Sequence, residues 1–150
     1  MTDQVRTRAE RRRDTLRRLE SDRDVWVATA QGDQPHLVPL SLAWDGSRLI
    51  LATPSDSPTA RNAVRSGVVR LALGPTRDVT IIDAVAEVVS CAEADTDVAE
   101  TYRQRTGWDP RDEGSPHSFV LATPTTARAW RDVPELAGRI ILRNGRWLDE

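Results

Sequence analysis

The sequence predicts a mainly β chain with helices (α+β), its six to eight antiparallel strands wrapped into a closed or half-closed barrel. Three observations carry this. Most segments show apolar residues with a period of two. Asp45-Gly46 and Asn144-Gly145 are tight-hairpin signals, because primed turns need the positive φ that Gly accepts. Pro39, which has no ladder donor, lies inside a strand and so marks an edge, a bulge or a barrel corner. The 150 residues suit one domain, divided into a helix over 1–23, a barrel core over 24–92, a helix-and-loop insertion over 93–118 and C-terminal strands over 119–150.

The elements follow in order. Thr7 to Glu20 holds strong helix formers and a thin apolar stripe at Ala9, Leu16 and Leu19, which predicts a surface helix. Its arginines interleave with Glu10, Asp14 and Glu20 at helical spacing, so they read as a solvated face rather than a grip on phosphate or lipid. VWVATA, HLVPLSLAW and RLILAT then form a three-stranded meander. In the next segment Ser57 caps a short helix, Pro58 takes its first position and Gly67 ends it. VVRLALG turns through Pro75 to Asp78 into VTIIDAVAEVVSCA, whose mixed alternation suits a bent barrel strand. Asp95 to Thr106 reads as a second amphipathic helix with Val98, Ala99 and Tyr102 on one face, and Gly107 to Pro116 as a loop. SFVLATP and TARAW are expected as two strands, followed by a linker at Pro134 and Glu135 and a final hairpin RIILRNGRWL.

Composition removes several classes of function. A formal charge of −2 is the wrong sign for a dedicated nucleic-acid binder, although residues 1–23 hold eight Arg against five acids. No apolar run approaches a bilayer span and no secretory signal opens the chain, so we expect a cytoplasmic protein with no membrane partner. One cysteine and two histidines leave no disulfide framework and no metal-ligand cluster. G-x-S-x-G, G-x-G-x-x-G and P-loop patterns are missing. Cys91, in an apolar strand, reads as buried filler.

Two segments hold the candidate chemistry. Thr53, Ser55, Ser57 and Thr59 bring hydroxyls to a helix N-terminus, with Arg61 and Asn62 one turn on: a phosphate cradle, or simply an N-cap beside an exposed Arg. In PHLVPLSLAW, His36, Pro39 and Ser41 line a flat pocket for the edge of a planar heterocycle. His36 sits beside a turn where an exposed His is ordinary, and no catalytic side chain is assigned. Arg77 either reaches a bound anion or pairs with Asp78 or Asp83. Trp26 and Trp44 lie on meander strands, in core or interface, and Trp130 and Trp147 near a rim or dimer seam.

The run from VWVATA through LALG resembles the pyridoxamine 5'-phosphate oxidase-like, FMN-binding split-barrel family over residues 24–90, and ARAWRDVPELAGRIILRNGRWL resembles its actinobacterial members. The resemblance implies a six-stranded split barrel and a homodimer with FMN or the deazaflavin F420 at the interface. It assigns the ring to the strand Val38, Pro39, Leu40 and Ser41; among the tryptophans near a rim or seam, Trp130 is the candidate for a wall of the pocket. The family's phosphate motif T-x-x-x-S-x-[KR]-x-x-N is matched by Thr53, Ser57 and Asn62, but Thr59 occupies the basic position, so Arg61 and Arg77 would supply the charge. An oxidoreductase is implied that passes hydride from reduced F420 or FMN to a small substrate. F420 is favoured because the resemblance is to actinobacterial members, whose organisms make that cofactor and have the G+C-rich character that the Arg-only, Lys-free composition matches. A non-catalytic protein that binds or stores a flavin-like or haem-like ligand is the alternative. Pyridoxamine-phosphate oxidation itself needs further basic ligands that have no place in this chain.

Overall fold

The computed structural model describes residues 4–149. Helix α1 (Arg8–Ser21) starts at a capping box in which the Thr7 hydroxyl accepts from the Glu10 amide and the Glu10 carboxylate accepts from the Thr7 amide. Strands β1 (Asp24–Gln31), β2 (Gln34–Trp44) and β3 (Leu49–Pro54) form the meander. Helix α2 (Pro58–Ser66) runs from the Ser57 cap to Gly67, whose φ of 71° closes it in the left-handed region. After it come β4 (Val68–Leu73), β5 (Asp78–Ser90), α3 (Thr96–Thr106), β6 (His117–Arg131), β7 (Ile140–Arg143) and β8 (Arg146–Trp147).

The strands are ordered β3-β2-β1-β4-β5-β6, and β3 pairs again with β6, which closes six antiparallel strands into a barrel. Strands β7 and β8 extend from β6 outside that ring. Inward residues Val25, Val27, Leu49, Leu51, Leu71, Ile82 and Val120 fill the interior with Leu19 of α1. A second core lies between α3 and the outer faces of β2, β3 and β6, where Val98, Ala99 and Tyr102 meet Ala43, Ile50, Ala52, Phe119 and Leu121. This explains why LILAT in β3 is apolar throughout rather than alternating: both of its faces are covered.

Two expectations need correction. SFVLATP and TARAW form one strand, because the break at Pro124 is absorbed by a bulge. Ala84 pairs with Pro124 and Asp83 with Thr126, so Thr125 is the extra residue, its hydroxyl donating to Asp83 O at 3.1 Å and its carbonyl accepting from Gly145 N at 2.9 Å. The buried side of α1 is Arg11, Thr15 and Leu19, while Ala9 is exposed. Arg11 is therefore no part of a solvated face. Its guanidinium donates to the carbonyls of Arg6, Ala129 and Glu135, tying α1 to the end of β6.

Candidate functional site

Strand β2 is an edge over most of its length: residues 34–41 pair with β1 on one side, and β3 joins only at Leu42. Leu42 N donates to Arg23 O at 2.9 Å, which fixes the alternation of the ladder. Val38 and Leu40 turn their backbone groups to β1, whereas Pro35, Leu37 and Pro39 turn theirs to the open edge. Two of these three are prolines, the residues an exposed edge tolerates because no donor is lost. The open edge thus offers the N–H and C=O of Leu37 and the carbonyls of Pro35 and Pro39.

Beside that edge lies an outward apolar face. Trp26 stands opposite Pro39 in the ladder and is 49% exposed, Leu37 is 61% exposed, and Val68 and Val85 continue the face on β4 and β5. A groove of about 480 Å³ runs there between Ala28, Val68, Arg70, Asp83 and Val85. Within it Asp83 accepts from Arg70 and Arg128, and these hydrogen bonds, Arg70's first, hold its carboxyl below the usual range against the opposing effect of burial.

At the start of α2 the hydroxyls are engaged. Thr53 Oγ1 donates to Ser57 Oγ at 2.9 Å, Ser57 Oγ also accepts from Ala60 N at 3.1 Å, and Ser55 shares a 2.7 Å bond with Ser118. Thr59 and Asn62 face the barrel and are buried. Asn62 donates to Thr29 Oγ1 at 3.1 Å and accepts from Arg65 at 3.1 Å, so both ends of its amide are used. Arg61 is exposed, and among the described residues its side chain has no hydrogen-bond partner. The edge of a flavin's tricyclic ring can lie along β2, where the Leu37 N–H would meet one imide carbonyl and the Leu37 C=O the imide N–H, while the prolines leave the second ring carbonyl without a backbone donor. The phosphate does not fit the start of α2, where Thr59 and Asn62 are turned inward.

Arg77 and Trp130 lie elsewhere in the chain. Thr53 pairs with Ser118, whereas Asp78 pairs with Arg131 and Val79 with Trp130, so the two groups sit at opposite ends of β6, roughly 40 Å apart along its contour. Arg77 pairs with neither Asp78 nor Asp83 but with Asp132, at 2.9 Å. His36 is half-buried and faces Thr29 in the ladder. The Cys91 thiol is pushed up to about 11, chiefly by burial, and is no nucleophile at neutral pH. Among the described residues no three metal-type side chains cluster, and no helix is long and apolar enough to cross a membrane.

Sequence reasoning missed three features. Leu37 as an edge residue, and the outward rather than core placement of Trp26, follow only from the ladder register. The Arg70–Asp83–Arg128 cluster joins three strands, a pairing that no local pattern announces. Asp56, next to the Ser57 cap, is legible in the sequence as a negative charge at the start of α2.

A six-stranded antiparallel barrel with an open second strand and α2 packed across its end defines a split-barrel protein. The chain belongs to the pyridoxamine 5'-phosphate oxidase family, whose model matches residues 13–131. Among solved structures it is similar to an F420 reductase (17% identity, 73% of this chain and 91% of that one, TM-score 0.59). It is also similar to a conserved hypothetical protein from Mycobacterium tuberculosis (20% identity, 87% and 88%, TM-score 0.64). A third is a pyridoxamine 5'-phosphate oxidase-related, FMN-binding protein from Nostoc punctiforme (15% identity, 83% and 80%, TM-score 0.54). At these identities the likeness is one of fold. No curated protein matches the sequence significantly.

Proposed function

We propose that the protein is an oxidoreductase that binds a flavin-type ring, FMN or F420, on the open edge of β2 and works as a homodimer. The observation that carries this reading is the unpaired edge at Leu37 and Pro39 with the Trp26 indole beside it, in a family whose structural relatives include an FMN-binding protein and an F420 reductase. Such a ring supplies hydride transfer to a small electrophilic substrate. The chain's part is to hold the ring edge through the backbone and to keep one face of the pocket apolar. No side-chain acid or base is assigned.

The exposed apolar face of Trp26, Leu37, Val68 and Val85 supports a second copy as the other wall of the pocket. The alternative, a non-catalytic ligand-binding protein, is favoured by one observation, the inward-turned Thr59 and Asn62. Titration with FMN and with F420, followed by turnover of the reduced complex with candidate electrophiles, separates the two. Stoichiometric binding with turnover supports the enzyme, stoichiometric binding without turnover the alternative, and no binding of either removes the oxidoreductase and leaves only a non-flavin ligand to the alternative.

A further inference from the structure

The helix α2 start carries the residues of a phosphate motif, yet its donors have been spent. Of the four amides that open a helix and meet an anion, Ser57 N donates to Pro54 O at 3.0 Å, Pro58 has no N–H, and Ala60 N donates to Ser57 Oγ. Only the Thr59 amide stays free among the described residues. Side chains add little. Thr59 is 1% exposed and Asn62 4%, both against the barrel; Thr53 is bonded to Ser57 and Ser55 to Ser118. Ser57 keeps one proton to donate.

Charge leads to the same answer. Arg65 is held by Asn62, which leaves Arg61 as the cation of this segment, and the Asp56 carboxylate immediately before the cap opposes it. A phosphomonoester brings close to two negative charges at neutral pH. One N–H, one O–H and an Arg offset by an Asp do not repay the hydration such a dianion loses.

We propose that this chain recognises its cofactor through the ring alone and draws no affinity from a terminal phosphate at α2. The ligand class is then the neutral tricyclic ring, with riboflavin and FMN equivalent to the protein. This rests on the reading of β2 as the ring site, and it departs from the motif that the chain otherwise matches.

The test is a fluorescence titration of the full chain with riboflavin and, separately, FMN, run beside an amide-resolved NMR titration with inorganic phosphate. The expected result is dissociation constants within about threefold of each other, with Arg61→Ala leaving their ratio unchanged. The Thr59 amide should show no saturable shift up to about 10 mM phosphate. FMN binding roughly tenfold or more tighter than riboflavin (about 1.4 kcal/mol) overturns the proposal while the ring reading stands, and a saturable Thr59 shift locates the phosphate at α2. Binding of neither flavin removes the proposal, and a parallel titration in which F420 also fails to bind removes the ring reading with it, an outcome distinguished by the absence of any ligand signal.

Discussion

At the residue scale the most consequential contact is Glu135, 2% exposed in the 3₁₀ turn that follows β6. It accepts from the Arg6 amide at 2.8 Å, the Arg6 guanidinium at 2.7 Å and the Arg131 amide at 2.8 Å. Burial is the largest single influence and works against ionisation, but the hydrogen bonds from Arg6 and Arg131 and the charge of Arg6 together outweigh it, bringing the carboxyl from its ordinary 4.5 down to about 2. A depressed carboxyl stabilises the fold above its ordinary value and loses that contribution as pH falls toward the folded value. We therefore expect about 3 kcal/mol of stability to disappear between roughly pH 5 and pH 2, measurable as a falling urea midpoint. Glu135→Ala takes from Arg6 its closest carboxylate, leaving it Asp14 at 2.9 Å and Asp78 at 3.2 Å, and should cost about 2–3 kcal/mol at pH 7, with a much weaker acid dependence than the parent.

At the scale of elements, helix α2 and the β4–β5 turn show how local chemistry sets geometry. Ser57→Ala removes the acceptor for Ala60 N and for Thr53 and should cost about 1 kcal/mol by denaturant titration. Gly74 has φ of 83°, and a Cβ there would fall on the Arg18 guanidinium, which donates to Asp78 O at 2.7 Å. Gly74→Ala should therefore destabilise by roughly 2 kcal/mol, from both the backbone strain and the displaced arginine. The caps, turns and helix faces of these elements were legible in the sequence because each depends on residues within one turn of each other. Ser57, Pro58 and Gly67 bracket α2 as their types require, and Val98, Ala99 and Tyr102 form the buried face of α3. The continuity of β6 was not legible, since it depends on Thr125 bonding to a carbonyl of β5.

At the scale of the whole molecule, the outward apolar face is the feature that a lone barrel leaves unexplained. If a second copy covers it, light scattering should give a dimer, and Val68→Asp with Val85→Asp should weaken association by roughly tenfold or more while leaving the far-UV circular dichroism unchanged. A strict monomer in the parent protein would remove the second wall from the proposed pocket.

Periodicity, hairpin residues and caps by themselves determined the strands apart from the continuity of β6, the three helices and the barrel class, because each is a short-range consequence of side-chain shape and backbone freedom. The motif residues Thr53, Ser57 and Asn62 were equally plain in the sequence, but which way they point was not. Tertiary packing decided that α2 turns Thr59 and Asn62 into the barrel, that Arg77 and Trp130 lie at the far end of β6 from α2, and that Arg6 and Arg11 are buried on Glu135. The physical reason is that burial and ion pairing join residues far apart in the chain, as Arg6 and Glu135 do, and no local pattern records which distant partner will arrive.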